Sequence, residues 1–477
     1  MNNKCRKWKV LLSVLMCAVL VMGCSASGTS GSTSDSVVME KEESKAVSVS
    51  FIGGNDVMPI TGYIGPYVHA YSSDGNVFPD YITDEYYQKI ADAGINLIVY
   101  SFTDYSGSTD AVTKNLELAE KYGIGFFVTD NNVLGKIEQD EISVEEVAKE
   151  IVNYSNYKSF SGLYMVDEPQ ATYYNMGDGT RLLQKYEQLA DILHNELDIL
   201  TYCNLYPIND LGKNKENYEK YVNDFCDILQ PKVLMWDYYP FDEYREGDMQ
   251  VYFYNMNLVR EKAEENGVPF WAYIQAGSQW NDSFEELPSK TPYWPNEFQF
   301  NWNVNTSLAM GAQGIQYFPL IQPYQFTLAE NGGWDFERNG ILGAMGNETQ
   351  WYYYAQNINK HIGAIDEVLM NAVSKGIIVT GEQAKSDTVM TSCVIESGTF
   401  NQLKSITGEA MVGCFNYNGK TALYVVNYSF DNAQNITLDF TGSQNIRKIQ
   451  NAETSYVKGN ALTLDMAAGE GILLVLE

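Results

Sequence analysis

The sequence predicts an α/β protein: a (β/α)8 TIM barrel followed by a small C-terminal antiparallel β-sandwich. Three observations carry this reading. Eight short apolar runs recur along the chain, amphipathic helical patterns lie between them, and past residue 373 the pattern changes to alternating strands with polar turns.

Before the first of these runs, Lys4, Arg6, Lys7 and Lys9 precede an apolar stretch over 10–22. That stretch is shorter than the roughly 20 residues a membrane-spanning helix needs, so it reads as an export signal. It ends in Val21-Met22-Gly23-Cys24, which resembles the bacterial lipobox. The resemblance implies cleavage before Cys24 and lipidation of Cys24. Residues 1–23 are then a lipoprotein signal peptide, and 24–50 a Ser/Gly-rich tether with too little apolar surface to fold. The expected location is the cell surface, anchored to the membrane by lipid rather than threaded through it.

The barrel is expected over 51–372, with strands at 58–65, 95–101, 124–130, 162–168, 199–206, 233–239, 269–275 and 314–319. Near-continuous apolar strands suit a barrel, whose strands are covered on both faces. Helical periodicity marks 86–93, 116–121 and 181–195, and Ser143 with Glu146 forms a capping box. A doubly wound sheet is the alternative, but no GxGxxG follows the first strand. A helix near 351–370 leads to the sandwich, expected over 373–477 with strands at 411–416, 422–428, 436–440, 461–465 and 471–476. Asn418-Gly419 marks a hairpin between two of them.

Charge and cysteine usage narrow the function. The whole chain carries −30, and without the four basic residues of the leader 27 Lys and Arg face 61 Asp and Glu, a charge of −34. Such a surface repels nucleic acid and anionic polymers, leaving a neutral or cationic ligand; acidity also keeps an exported protein soluble. Past Cys24 the cysteines are Cys203, Cys226, Cys393 and Cys414, without a CxxC pair, and there are three histidines, which argues against zinc. Cys393 and Cys414 are either a disulfide or buried free thiols. Gly413 to Gly419-Lys420-Thr421 misses the phosphate-loop spacing and lies between strands. The segment 130–141 resembles a calcium loop but has Leu134 at a ligand position. No cofactor and no metal are expected.

In such a barrel the chemistry sits at the C-terminal strand ends. Those ends supply Tyr63, then Asp104, then Asp130, then Asp167 and Glu168. Asn204 and Tyr206 follow, then Trp236, Asp237 and Tyr239, then Tyr273 and Gln275, and last Tyr317. Carboxylates and amides bind vicinal hydroxyls and aromatic faces pack on sugar C–H patches, so the expected ligand is a carbohydrate. A phosphorylated substrate would call for Arg, Lys or a glycine nest.

The strand end Asp167-Glu168-Pro169 resembles the acid/base strand of the (β/α)8 glycoside hydrolases, which ends Asn-Glu-Pro in their large retaining clan. The stretch Gly311-Ala-Gln-Gly-Ile-Gln-Tyr-Phe318 is similar to their eighth strand. The resemblance implies a glycoside hydrolase with Glu168 as acid/base. It also implies a nucleophilic Glu on the seventh strand, where this chain has Gln275. Two arrangements meet that departure. In one, Asp237 is the partner carboxylate of Glu168, with Asp130 or Asp104 in reserve, and the separation decides retention or inversion. In the other, Asp167 and Glu168 act as a neighbouring pair, as in the substrate-assisted hexosaminidases they resemble, with Asp167 holding a 2-acetamido group. Adjacent strand residues point to opposite faces, so this needs the strand end to turn. Asp167 alternatively caps the next helix or pairs with a buried cation. The alternative function is a catalytically inactive glycan-binding surface lipoprotein on the same barrel.

Overall fold

The computed structural model describes residues 57–67, 72–73, 76–99, 109–129, 143–169, 181–212, 215–241, 248–278, 293–323 and 337–477. Cys24, the tether, Asp104, Asp130 and the segment 130–141 lie outside the described residues.

Eight parallel strands form the barrel: β1 (Ile60–Tyr63), β2 (Leu97–Val99), β3 (Gly125–Val128), β4 (Phe160–Val166), β5 (Thr201–Cys203), β6 (Leu234–Trp236), β7 (Phe270–Gln275) and β8 (Ile315–Phe318). Their hydrogen-bonded order is β5-β4-β3-β2-β1-β8-β7-β6. A parallel bridge between Leu205 and Trp236 closes the ring, with the Leu205 N–H donating to the Met235 carbonyl at 2.8 Å. The strands are buried on both faces because helices cover the outside.

The helices that follow them in turn are α1 (Asp84–Asp92), α2 (Thr109–Tyr122), α3 (Val144–Val152), α4 (Arg181–Asp191), α5 (Lys215–Leu229), α6 (Met249–Asn266), α7 (Glu297–Ala309) and α8 (Gln350–Met370). Ser143 caps α3 in the expected box, accepting from the Glu146 N–H at 3.3 Å while Glu146 accepts from the Ser143 N–H at 3.0 Å. The helical pattern over 181–195 divides into α4 and a π turn, Ile192–Glu196, which carries the chain around buried His194. Among the described residues no helix is long and apolar enough to cross a membrane.

The C-terminal strands are β9 (Ala372–Thr380), β10 (Leu403–Thr407), β11 (Ala410–Tyr417), β12 (Lys420–Asn427), β13 (Gln434–Gln450), β14 (Glu453–Met466) and β15 (Gly471–Leu476). They form one antiparallel sheet in the order β9-β11-β12-β15-β13-β10, with β14 pairing β13. The register breaks within β13 between Asp439 and Gln444; its first part pairs β10 and its second pairs β15. That break lets the sheet double over a core of Ile378, Val412, Leu423, Val425, Leu438 and Leu474. The alternate residues Ala422, Tyr424 and Val426 pack on the barrel core, so β12 is buried on both faces. Asn418 and Gly419 have φ of 48° and 75°, the left-handed pair of a tight hairpin turn. Cys203, Cys226, Cys393 and Cys414 are free thiols.

Candidate active site

At the C-terminal mouth of the barrel lies a cavity of about 480 Å³. It gathers Tyr63 from β1, Asp167 and Glu168 after β4, Asn204 and Tyr206 after β5, Asp237 and Tyr239 after β6, and Tyr273 and Gln275 from β7. Pro207, Asn209, Tyr238, Gly277, Ser278 and Phe318 complete the described lining, which contains no Lys, Arg or His.

Two backbone irregularities bring both acids of β4 to this mouth. The register with β5 shifts between Tyr164 and Val166, and Glu168 takes a left-handed φ of 41°. A non-glycine residue holds that conformation at a cost, and such costs concentrate at functional sites. The strand end therefore turns, and the turn falls on Glu168 itself. Gly162 permits the approach of β4 to β5, since a Cβ there would lie 2.2 Å from the Leu200 carbonyl oxygen.

The carboxyl groups of Glu168 and Asp237 lie within hydrogen-bonding reach of each other. Both hold their protons well above the ordinary carboxylate range. For Glu168 the causes are burial, then the negative charges of Asp237 and Asp167. For Asp237 they are burial and then the charge of Asp167, opposed by donation from Glu168 and Asn204. Their hydrogen bond raises Glu168 and lowers Asp237, so the two carboxyls titrate as a coupled pair.

Asp167 is exposed to the cavity, yet protein surrounds it on nearly every side. Burial raises its pKa, and hydrogen bonds with Asn204, Tyr63 and Tyr164 offset part of that rise. The Asn204 amide also donates to Asp237 at 3.4 Å. Beneath the acids is a layer of tyrosines. The Tyr63 and Tyr164 hydroxyls are 2.6 Å apart, those of Tyr202 and Tyr273 are 2.8 Å apart, and Tyr202 donates to Gln316. Burial and the nearby carboxylates keep all four phenols protonated.

Two expected ligand contacts face elsewhere. Trp236 is buried with its ring 5.7 Å from Tyr252 of α6. Tyr317 donates to Asn359 of α8 at 2.6 Å and stacks on Phe300 at 5.6 Å. Both lie on the helix-facing side of their strands, because neighbouring residues alternate and Asp237 and Gln316 take the inner side. Conversely, Tyr164 and Tyr202 were not singled out from sequence. Each sits mid-run among apolar neighbours, and the available signal was their inward parity with the acids. Among the described residues no group of three or more His, Cys, Asp or Glu could hold a metal ion.

The fold and this cavity define a (β/α)8-barrel protein with an acid- and tyrosine-lined cavity at the strand ends. No protein-family model matches the chain, and no curated protein matches it. Solved structures with similar barrels include an alpha-amylase from Lactobacillus plantarum, at 11% identity and a TM-score of 0.48, over 88% of this chain and 98% of that one. A maltogenic alpha-amylase from Thermotoga neapolitana is similar at 10% identity and a TM-score of 0.45, over 88% and 98%. A beta-galactosidase from a psychrophilic Marinomonas is similar at 10% identity and 0.44, over 70% and 65%.

Proposed function

We propose that the protein is a glycoside hydrolase in which Glu168 is the general acid/base and Asp237 its partner carboxylate. The observation that carries this is the Glu168–Asp237 contact in the cavity at the barrel mouth, two buried carboxyls that both hold protons above the ordinary range. A binding site gains nothing from two carboxyls held against each other out of water, whereas acid catalysis needs one protonated group beside one anion.

The reaction follows from that pairing. Glu168 gives its proton to the glycosidic oxygen as the C–O bond breaks, and Asp237 attacks the anomeric carbon from the other face of the sugar. Glu168, now anionic, takes a proton from the water that cleaves the glycosyl ester, which restores both groups. A sugar seated between the two carboxyls requires them to part from contact to the roughly 5–5.5 Å of a retaining pair, or further, to roughly 6.5–9.5 Å, for an inverting pair and its water. The substrate class is a neutral or N-acetylated glycan. Tyr63, Tyr206, Tyr239 and Tyr273 supply faces and hydroxyls, and Asn204 supplies an amide.

A second arrangement has its own support: Asp167 is open to the cavity and fixed by Asn204, Tyr63 and Tyr164. Such a carboxylate suits the N–H of a 2-acetamido group, which would then serve as the nucleophile. Export and lipid anchoring through Cys24 complete the proposal; loss of lipid labelling in Cys24→Ala checks that part.

The test is a panel of hexosides and 2-acetamido-hexosides with the wild type and Glu168→Gln. Glu168→Gln should lower kcat by about 10²–10⁴-fold, and unchanged kcat removes Glu168 from the role. Cleavage confined to 2-acetamido sugars favours the Asp167 arrangement, while cleavage of plain hexosides favours Asp237. Glycan binding without any cleavage favours the inactive surface lipoprotein.

A further inference from the structure

Gln275 ends β7, the strand end where the glycoside hydrolases that the fourth strand resembles carry their nucleophile. It lines the cavity, yet its side chain is committed elsewhere. Its Oε1 accepts from the Phe241 N–H at 3.0 Å, and its Nε2 donates to the Phe241 carbonyl at 2.8 Å and the Gly277 carbonyl at 3.1 Å. Both amide hydrogens are thereby used. Its own backbone N–H donates to the Asn303 side chain of α7 at 3.0 Å, so the clamp stands on a fixed base.

Phe241 lies four residues past Asp237, and residues 237–241 belong to no helix or strand. The near end is fixed by the Leu205–Trp236 bridge. The far end has the two Gln275 bonds and ring contacts from Phe241 to Trp302 and Phe430 at 5.6 and 5.5 Å. A carboxylate in place of Gln275 offers no hydrogen to either carbonyl, and an apolar side chain offers nothing. An amide of this length can accept from the N–H of Phe241 and donate to its carbonyl at once.

We propose that Gln275 is a positioning residue: by clamping the backbone of Phe241 it holds the Asp237 carboxyl against Glu168. The inference rests on the pairing of those two acids in the proposed function. It also accounts for the departure at the seventh strand, where the side chain ties two loops together instead of attacking the sugar.

The test uses Gln275→Met, which removes the bonds without adding charge, and Gln275→Glu, which keeps the length. Each is assayed on whichever glycoside the wild type cleaves, and crystal structures are solved of both. Freeing a catalytic group by about 1 Å is expected to lower kcat about 10²-fold with little change in KM. The alkaline limb of the kcat/KM profile should move to lower pH, because a displaced Asp237 no longer holds the proton on Glu168. A rise in KM at constant kcat would make Gln275 a substrate contact and overturn the proposal. Higher activity in Gln275→Glu would make it a vacant nucleophile position, with the same result. If the wild type cleaves nothing, the proposed function fails, but the structures still decide the clamp. Asp237 out of reach of Glu168 in either variant upholds it, and Asp237 unmoved in both overturns it. Should Gln275→Met not fold, Gln275→Glu alone gives the same readings.

Discussion

The cavity at the barrel mouth and a second one beside the end of β12 are built from the same side-chain types and differ in how their carboxyls are satisfied. The second, about 570 Å³, is lined by Gln383, Asp387, Glu409, Tyr428, Phe430 and Gln434 among others. There Asp387 accepts from Gln383 at 2.9 and 3.0 Å and from the Tyr428 hydroxyl at 2.7 Å. Glu409 accepts from the Ala384 N–H at 2.8 Å. These carboxyls have donors of their own and tie the C-terminal sheet to the short helix α9 (Glu382–Asp387). At the barrel mouth Glu168 and Asp237 face each other, with Asp167 close by. Volume does not set the two cavities apart. What differs is that one pairs its carboxyls with donors while the other sets two carboxyls against each other.

The largest expected contrast is catalytic. Asp237→Asn should lower kcat by about 10²–10⁴-fold, while Asp387→Asn leaves it near the wild-type value; a comparable loss in both variants would erase the distinction.

Stability should move the opposite way. Asp387→Leu strands the buried Tyr428 hydroxyl, and should cost about 1–3 kcal/mol in denaturant unfolding. Asp237→Asn should instead raise Tm at neutral pH. A carboxyl whose pKa is raised by folding keeps its proton in the folded chain after the unfolded chain has released it. Its stability is then complete below the unfolded pKa and declines as pH rises through the folded one. Asparagine removes that decline, so the gain in Tm should vanish below the ordinary carboxylate range. A Tm gain that is independent of pH would show that burial of the charge is not its cause.

The smallest effect belongs to the tyrosine layer. Tyr63→Phe or Tyr164→Phe withdraws one hydroxyl from the network around Asp167, worth about 0.5–1.5 kcal/mol, and should reduce kcat/KM by up to about tenfold. Asp167 then titrates at higher pH, which carbon-detected NMR of the carboxyl would report.

Particular residues show how far the sequence reaches. The run ending in Asp167 and Glu168 was legible as a barrel strand because both faces of such a strand must be apolar. The Asn418-Gly419 turn likewise placed the hairpin between β11 and β12, and a helix was expected near 351–370, where α8 lies. Tyr317 and Trp236 show the limit: alternation assigns a residue to one of two faces, and only closure of the ring decides which face is the mouth. The free thiols of Cys393 and Cys414 were one of two open readings until their surroundings were known.

By itself, then, the sequence determined the eight-fold order of strands and helices, the change to antiparallel strands, and the supply of acids, amides and tyrosines at the strand ends. These depend on local periodicity and on residue chemistry, which need no partner. Tertiary structure alone decided that Glu168 meets Asp237, that Asp167 rests on two tyrosines and Asn204, and that Gln275 is spent on Phe241. Those contacts join residues from different strands, and their distances follow from barrel closure, the register shift in β4 and the left-handed turn at Glu168.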